Sequence, residues 1–283
     1  MKTSLQNLFG SLALQTVVLV SWFVFGISCF AQQPAADDSQ ESARRLELMK
    51  SQAAAYKVSL GERMTPLALH TEPILRFSNA VSGVPDGIIV MWKDSQRPAI
   101  FAQVFQTKDG LWIHECQSVA AAPLSMQQGD KNFWSPSQAA AEFQALTNAP
   151  SPSTTAPRRL VQMKAIAAEF SASDDFKINP QDQEPTRHEL RLLTTPVYRY
   201  ADSTAGIADG AVFAYVHGTD PEAFLVLELR GEKTGQETWH YTFTPMTCWA
   251  VHVRRGPAEV FRSEERFAKS KPQDLYHVWV HKP

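Results

Sequence analysis

The chain has 283 residues, 44% of them hydrophobic, with 27 Lys and Arg against 29 Asp and Glu and a formal charge of −2. That balance excludes the basic excess expected of a nucleic-acid binder, and no long run of like charge marks an interaction tail. The length is enough for two units that each bury a core.

Residues 1–31 read as a signal peptide. Lys2 is their only charge, an apolar stretch runs from Val17 to Ile27, and Cys29-Phe30-Ala31 places small residues three and one before a cut after Ala31. The alternative is a membrane anchor through residues 8–31, which are numerous enough to span a bilayer. Residues 32–42 are a polar tether. A helix is expected over about 42–57, because Leu46, Met49, Ala53 and Tyr56 share one face. Short strands should follow. They are Pro73–Phe77, Ile88–Trp92 after the turn dipeptide Asp86-Gly87, Ala99–Gln106 after Arg97-Pro98, and Trp112–Ser118. Residues 148–157 form a Pro/Ser/Thr linker.

The pattern then begins again. Leu160, Met163, Ala167 and Phe170 repeat the helical stripe, with Thr155 placed to cap and Pro157 in the first turn. The Arg44-Arg45 and Arg158-Arg159 pairs should lie toward solvent. Residues 171–189 read as a polar loop inserted in the second copy. Strands are expected at Pro196–Tyr200, Ala211–Val216, Glu222–Leu229 and Trp239–Phe243. A hairpin from Ala250–Arg254 to Glu259–Arg262 and a last strand, Tyr276–His281, should follow.

Sliding residues 67–107 onto 190–230 without gaps makes ten of the 41 pairs identical, including Pro73/Pro196, Arg76/Arg199, Gly87/Gly210 and Phe101/Phe224. Average composition gives roughly two or three. A tandem duplication follows. The expected fold is α+β, each copy one helix plus an antiparallel β-meander, packed as an internal pseudo-dimer. The copies should span 43–147 and 158–283, the second with an extra C-terminal hairpin and strand.

Chemistry is harder to find. The chain has no G-x-G-x-x-G, no G-x-x-x-x-G-K, no G-x-S-x-G and no C-x-x-C. His114-Glu115 begins like a zinc-protease motif, but Ser118 stands where the second His belongs, so no metal site and no cofactor are expected. The candidate site residues are His114, Glu115, His217 and His240, which occur in one copy only, and the repeated Arg76 and Arg199. A buried Arg needs an acceptor. Arg76 and Arg199 therefore read either as anchors to Asp86 and Asp209 or as the walls of an anion pocket between the copies. Cys116 and Cys248 are a candidate disulfide, which would tie one copy to the other.

The segments Leu190–Tyr200, Asp209–Tyr215, Gly218–Pro221, Trp112–Glu115 and Arg158–Lys164 resemble an uncharacterised family of exported proteins from planctomycete bacteria. The resemblance covers most of the chain beyond residue 31. It implies export and brings no activity, substrate or site. Two functions are consistent with the residues. One is a non-catalytic exported module of the cell envelope, periplasmic or extracellular, binding a protein or small-molecule partner or serving structurally. The other is a hydrolase-type enzyme with its site at the seam between the copies. Nucleic acid is not an expected partner, and a membrane is one only if the N-terminal segment stays uncleaved.

Overall fold

The computed structural model describes residues 36–140, 143–177, 184–231 and 235–282. The expected signal peptide lies outside the described residues. Helix α1 (Ala36–Ala54) leads to β1 (Lys57–Leu60), β2 (Thr65–Pro66), β3 (Ala68–Leu69), β4 (Leu75–Asn79) and β5 (Val84–Asp94). Next come β6 (Arg97–Gln106), β7 (Trp112–Ser118), β8 (Leu124–Gln128), β9 (Lys131–Trp134) and β10 (Gln144–Ala145). Helix α2 (Ala156–Ala167) opens the second half. It is followed by β11 (Phe170–Phe176), β12 (Thr186–Leu192), β13 (Tyr198–Asp202), β14 (Ile207–His217) and β15 (Asp220–Arg230). The chain finishes with β16 (Thr238–Pro245), β17 (Ala250–Arg255), β18 (Ala258–Arg262) and β19 (Tyr276–His281). Among the described residues, no helix is long and apolar enough to cross a membrane.

Strands make up 51% of the described residues and helices 13%, so the described protein is mostly β. This corrects the α+β expectation of one helix plus a meander per copy. The sheets are larger than meanders because segments with loop-like composition become strands once they find partners. Residues 170–176 pair with both β12 and β17. β1 and β8 pair with each other and bury Val58, Leu124 and Met126. Helix α1 also begins earlier than expected, within the tether, where Glu41 pairs with Arg44 at 2.9 Å one turn on. Thr155 does precede α2, but its side chain makes no capping bond.

Among the described residues, three antiparallel sheets result. One runs β19-β7-β6-β5-β3 with β4 also on β5. A second runs β10-β16-β15-β14-β12-β11-β17-β18 with β13 on β14. The third is β2-β1-β8-β9. The two large sheets trade their edges. The chain's last strand, β19, pairs with β7 of the first half, and β10 from the first half pairs with β16 of the second.

The central strands explain the layering. In β5, Ile88, Val90 and Trp92 pack into the core beneath α1, while Ile89 and Met91 join a different core. In β14, Ala211, Phe213 and Tyr215 face α2, while Val212, Ala214 and Val216 join that same shared core. The period-two alternation of a strand thus buries apolar residues on both faces. The order is helix, sheet, sheet, helix, and the shared core is the seam. Phe101 and Phe224, equivalent residues of the repeat, meet there with ring centroids 4.7 Å apart.

Repeated glycines let paired strands close over one another. Phe77 lies opposite Gly87, and Tyr200 opposite Gly210. A Cβ on Gly87 would sit 2.4 Å from Phe77 Cζ, and one on Gly210 would sit 2.7 Å from Tyr200 Cζ. Tyr200 cannot swing aside, because its hydroxyl donates to the buried Glu228.

Phe224→Ala should lower unfolding free energy by ~3–5 kcal/mol through the cavity it leaves, and Gly210→Ala by ~1–3 kcal/mol through overpacking. Urea denaturation measures both. Losses under about 0.5 kcal/mol, typical of surface sites, would contradict this packing.

Candidate functional site

The seam is filled at one end and hollow at the other, and the repeat shows why. At the filled end, Arg97 Nε donates to Glu228 Oε1 at 2.8 Å across the copies. Tyr200 and Arg230 also bond Glu228, which has no exposure. The guanidiniums of Arg97 and Arg230 lie 4.9 and 3.8 Å from the ring centre of Phe143, closing that end. The duplicate positions at the other end hold different residues. Asp220 stands for Arg97, Phe105 for Glu228, and Thr107 for Arg230. Two long cations and a carboxylate are replaced by shorter or apolar groups, and a cavity of about 720 Å³ opens there.

Both copies line it. Asn79, Gln103, Phe105, Ile113 and Glu115 come from the first. Asp220, Glu222, Met246, Thr247 and Trp249 come from the second, with Tyr276, Val278 and Val280 from the exchanged strand β19. The wall is mostly apolar and the polar groups converge. Asp220 accepts from Asn79 Nδ2 at 3.0 Å and from Gln103 Nε2 at 3.2 Å, both from the opposite copy. The Gln103 amide also donates to the carbonyls of Pro221 and Met246, each at 3.0 Å. Glu115 Oε1 accepts from the hydroxyl of Tyr276.

These carboxyls sit in a low-dielectric setting that disfavours charge. Burial pushes Glu115 up to about 8, with repulsion from Asp220 adding, although the Tyr276 hydroxyl works the other way. Burial raises Asp220 to about 6 against the two amide donors. Burial, then Asp220 and Asp174, hold Glu222 well above the usual carboxylate range.

Of the residues singled out in the sequence, the structure brings Glu115 to the cavity and places His217 beside Glu222. His114 points to the other face of β7. It stacks on Trp279 and bonds His281 Nε2 at 3.0 Å, and burial pushes it down to about 3. His240 bonds Thr238 at 3.0 Å on β16, and burial lowers its pKa. Arg76 makes two bonds to Asp86, at 2.7 and 2.6 Å, and Arg199 makes two to Asp209, at 3.0 and 2.7 Å. Arg45 and Arg159 reach the same aspartates instead of pointing to solvent, so each cluster ties a helix to its sheet. Cys116 and Cys248, the candidate disulfide, are both free thiols. Cys116 belongs to the core beneath α1 and Cys248 to the cavity on the other face of β7, so the sheet separates them.

Sequence reasoning missed Asp220, Glu222, Gln103 and Tyr276. One signal was available: Asp220 stands where the repeat has Arg97, and Glu222 where it has Ala99. Comparisons with known proteins return no match: no family model, no curated protein and no solved structure is significantly similar to this chain.

A carboxyl with a raised folded-state pKa holds a proton that the unfolded chain releases, so stability falls as pH rises toward the folded value. The histidines whose values burial lowers, His114, His217, His240 and His277, are largely neutral in both states above about pH 7.5. Melting temperature should therefore fall between about pH 7.5 and 9. Glu115→Gln, which keeps the shape and the acceptor for Tyr276, should make that fall shallower. An unchanged slope in differential scanning calorimetry would contradict a protonated Glu115.

Proposed function

We propose that this chain is an exported, non-catalytic binding module whose seam cavity takes a small molecule with an apolar body and a basic head group. The observation that supports the reading is the cavity itself. Its size is within the range of small-molecule sites, and apolar walls with a few convergent polar groups are the usual composition of such sites. Three carboxyls, Glu115, Asp220 and Glu222, line it. A protonated amine entering there replaces the protons they hold and is charge-complementary to them. The alternative, hydrolysis at the same seam, draws on Glu115, whose value of about 8 keeps it in the proton-donating state of a general acid near neutrality.

The test is ligand-observed NMR with a fragment set of matched primary amines and carboxylic acids, at pH 8 and pH 6. Amines should bind and acids should not. Amine affinity should fall at pH 6, where protons compete, and Val278→Trp, which fills the cavity, should remove binding. Equal capture of amines and acids, or binding that survives Val278→Trp, would overturn the proposal. Turnover of an ester or glycoside substrate, lost in Glu115→Gln with binding retained, would favour the hydrolase.

A further inference from the structure

The geometry points to a metal site in the second copy: Asp174, His217 and Glu222, with His188 as a fourth donor, form a set that would bind a divalent transition-metal ion. Asp174 lies on β11, His188 directly opposite it on β12, His217 at the end of β14, and Glu222 on β15. Three strands thus bring Asp174, His217 and Glu222 together, and His188 lies beside Asp174 with its ring centroid 4.7 Å from that of His217. Ligand atoms of Asp174, His217 and Glu222 all lie within 4.8 Å of one another. Bonds of ~2.1 Å in a tetrahedron need donors ~3.5 Å apart, a gap that modest side-chain rotations close.

A second observation is independent of that proximity. Asp174 is fully buried, and neither of its carboxyl oxygens has a hydrogen-bond partner on another residue. His188 Nδ1 and His217 Nδ1 are also buried without partners. Buried polar groups are rarely left so, because each uncompensated one costs free energy. An ion pair between Asp174 and a protonated His188 does not resolve the deficit, since the 3.7 Å separation exceeds a hydrogen bond and the second oxygen stays unsatisfied. A shared cation supplies a partner to Asp174, His188 and His217 together, which the ion pair does not. Two imidazoles with two carboxylates are a mixed N/O donor set, which suits Zn²⁺ and its first-row neighbours over Ca²⁺ or Mg²⁺.

The surroundings agree. Phe176 packs its ring against both His188 and His217, at 5.6 and 6.1 Å between centroids, giving the cluster an apolar wall. The site belongs to one copy only. The repeat equivalents of His217 and Glu222 are Asp94, which is exposed, and Ala99, which cannot ligate. Glu222 also lines the seam cavity, yet this inference does not depend on any ligand binding there.

The experiment is isothermal titration of the chelator-treated full chain with Zn²⁺, alongside Asp174→Asn, His217→Gln and the control His240→Gln. One equivalent should bind to the wild type and to His240→Gln. Asp174→Asn and His217→Gln should each weaken binding by ~100-fold, the upper end of what losing even an outlying partner of a metal ligand costs. Co²⁺ added to the unsubstituted chain should give the visible absorption of a low-coordinate N/O site, a readout that needs no variant to fold. The proposal is overturned if Zn²⁺ does not bind stoichiometrically, if Asp174→Asn and His217→Gln bind it as the wild type does, or if Co²⁺ shows only its aqueous spectrum. Amine binding to the seam cavity is a separate measurement, so either reading can fail alone.

Discussion

Strands apolar on both faces cannot stand alone, and the rest of this molecule follows from that constraint. β5, β6, β14 and β15 bury nearly every side chain along their length. A helix covers one face of each pair. The other face needs an equally apolar surface, and the other half of the chain supplies it. The seam is therefore the structural centre of the protein. The exchange of β10 and β19 between the two sheets adds backbone bonds to the same association.

The sequence differences between the two halves coincide with where the cavity opens. Identical copies would meet with the same contacts at both ends of the seam. Here one end has diverged to Arg97, Glu228 and Arg230, which fill it, and the other to Asp220, Phe105 and Thr107, which leave it open. Residues the copies share, such as the Arg76–Asp86 and Arg199–Asp209 pairs, fasten helices to sheets. Residues in which they differ line the cavity and build the Asp174 cluster.

Much of the framework was legible in the sequence because it rests on local pattern. The helical stripes and the apolar runs of Ile88–Trp92 and Ala211–Val216 announce their elements directly, whereas Asp86-Gly87 and Asp209-Gly210, expected as turns, lie inside β5 and β14, where each glycine makes room for a facing ring. What was not legible depends on distant partners. Ser171–Phe176 carries two adjacent Asp, a residue depleted in strands, and its conformation is fixed by β12 and β17. Asp174 read as a solvated loop residue for the same reason. Arg45 and Arg159 looked like solvent-facing charges because their aspartates lie 41 and 50 residues away. Glu115 was visible as a candidate, but its partner Tyr276 comes from a strand that crosses to the other sheet, 161 residues on.

Packing across the seam should make the two halves of the chain one cooperative body. Native-state hydrogen exchange tests it most directly, because it reads the opening free energy of each strand separately. Amides of β5 and β6 should open with the same free energy and denaturant dependence as those of β14 and β15, through one global unfolding event. Two distinct values, one for each copy, would contradict the account.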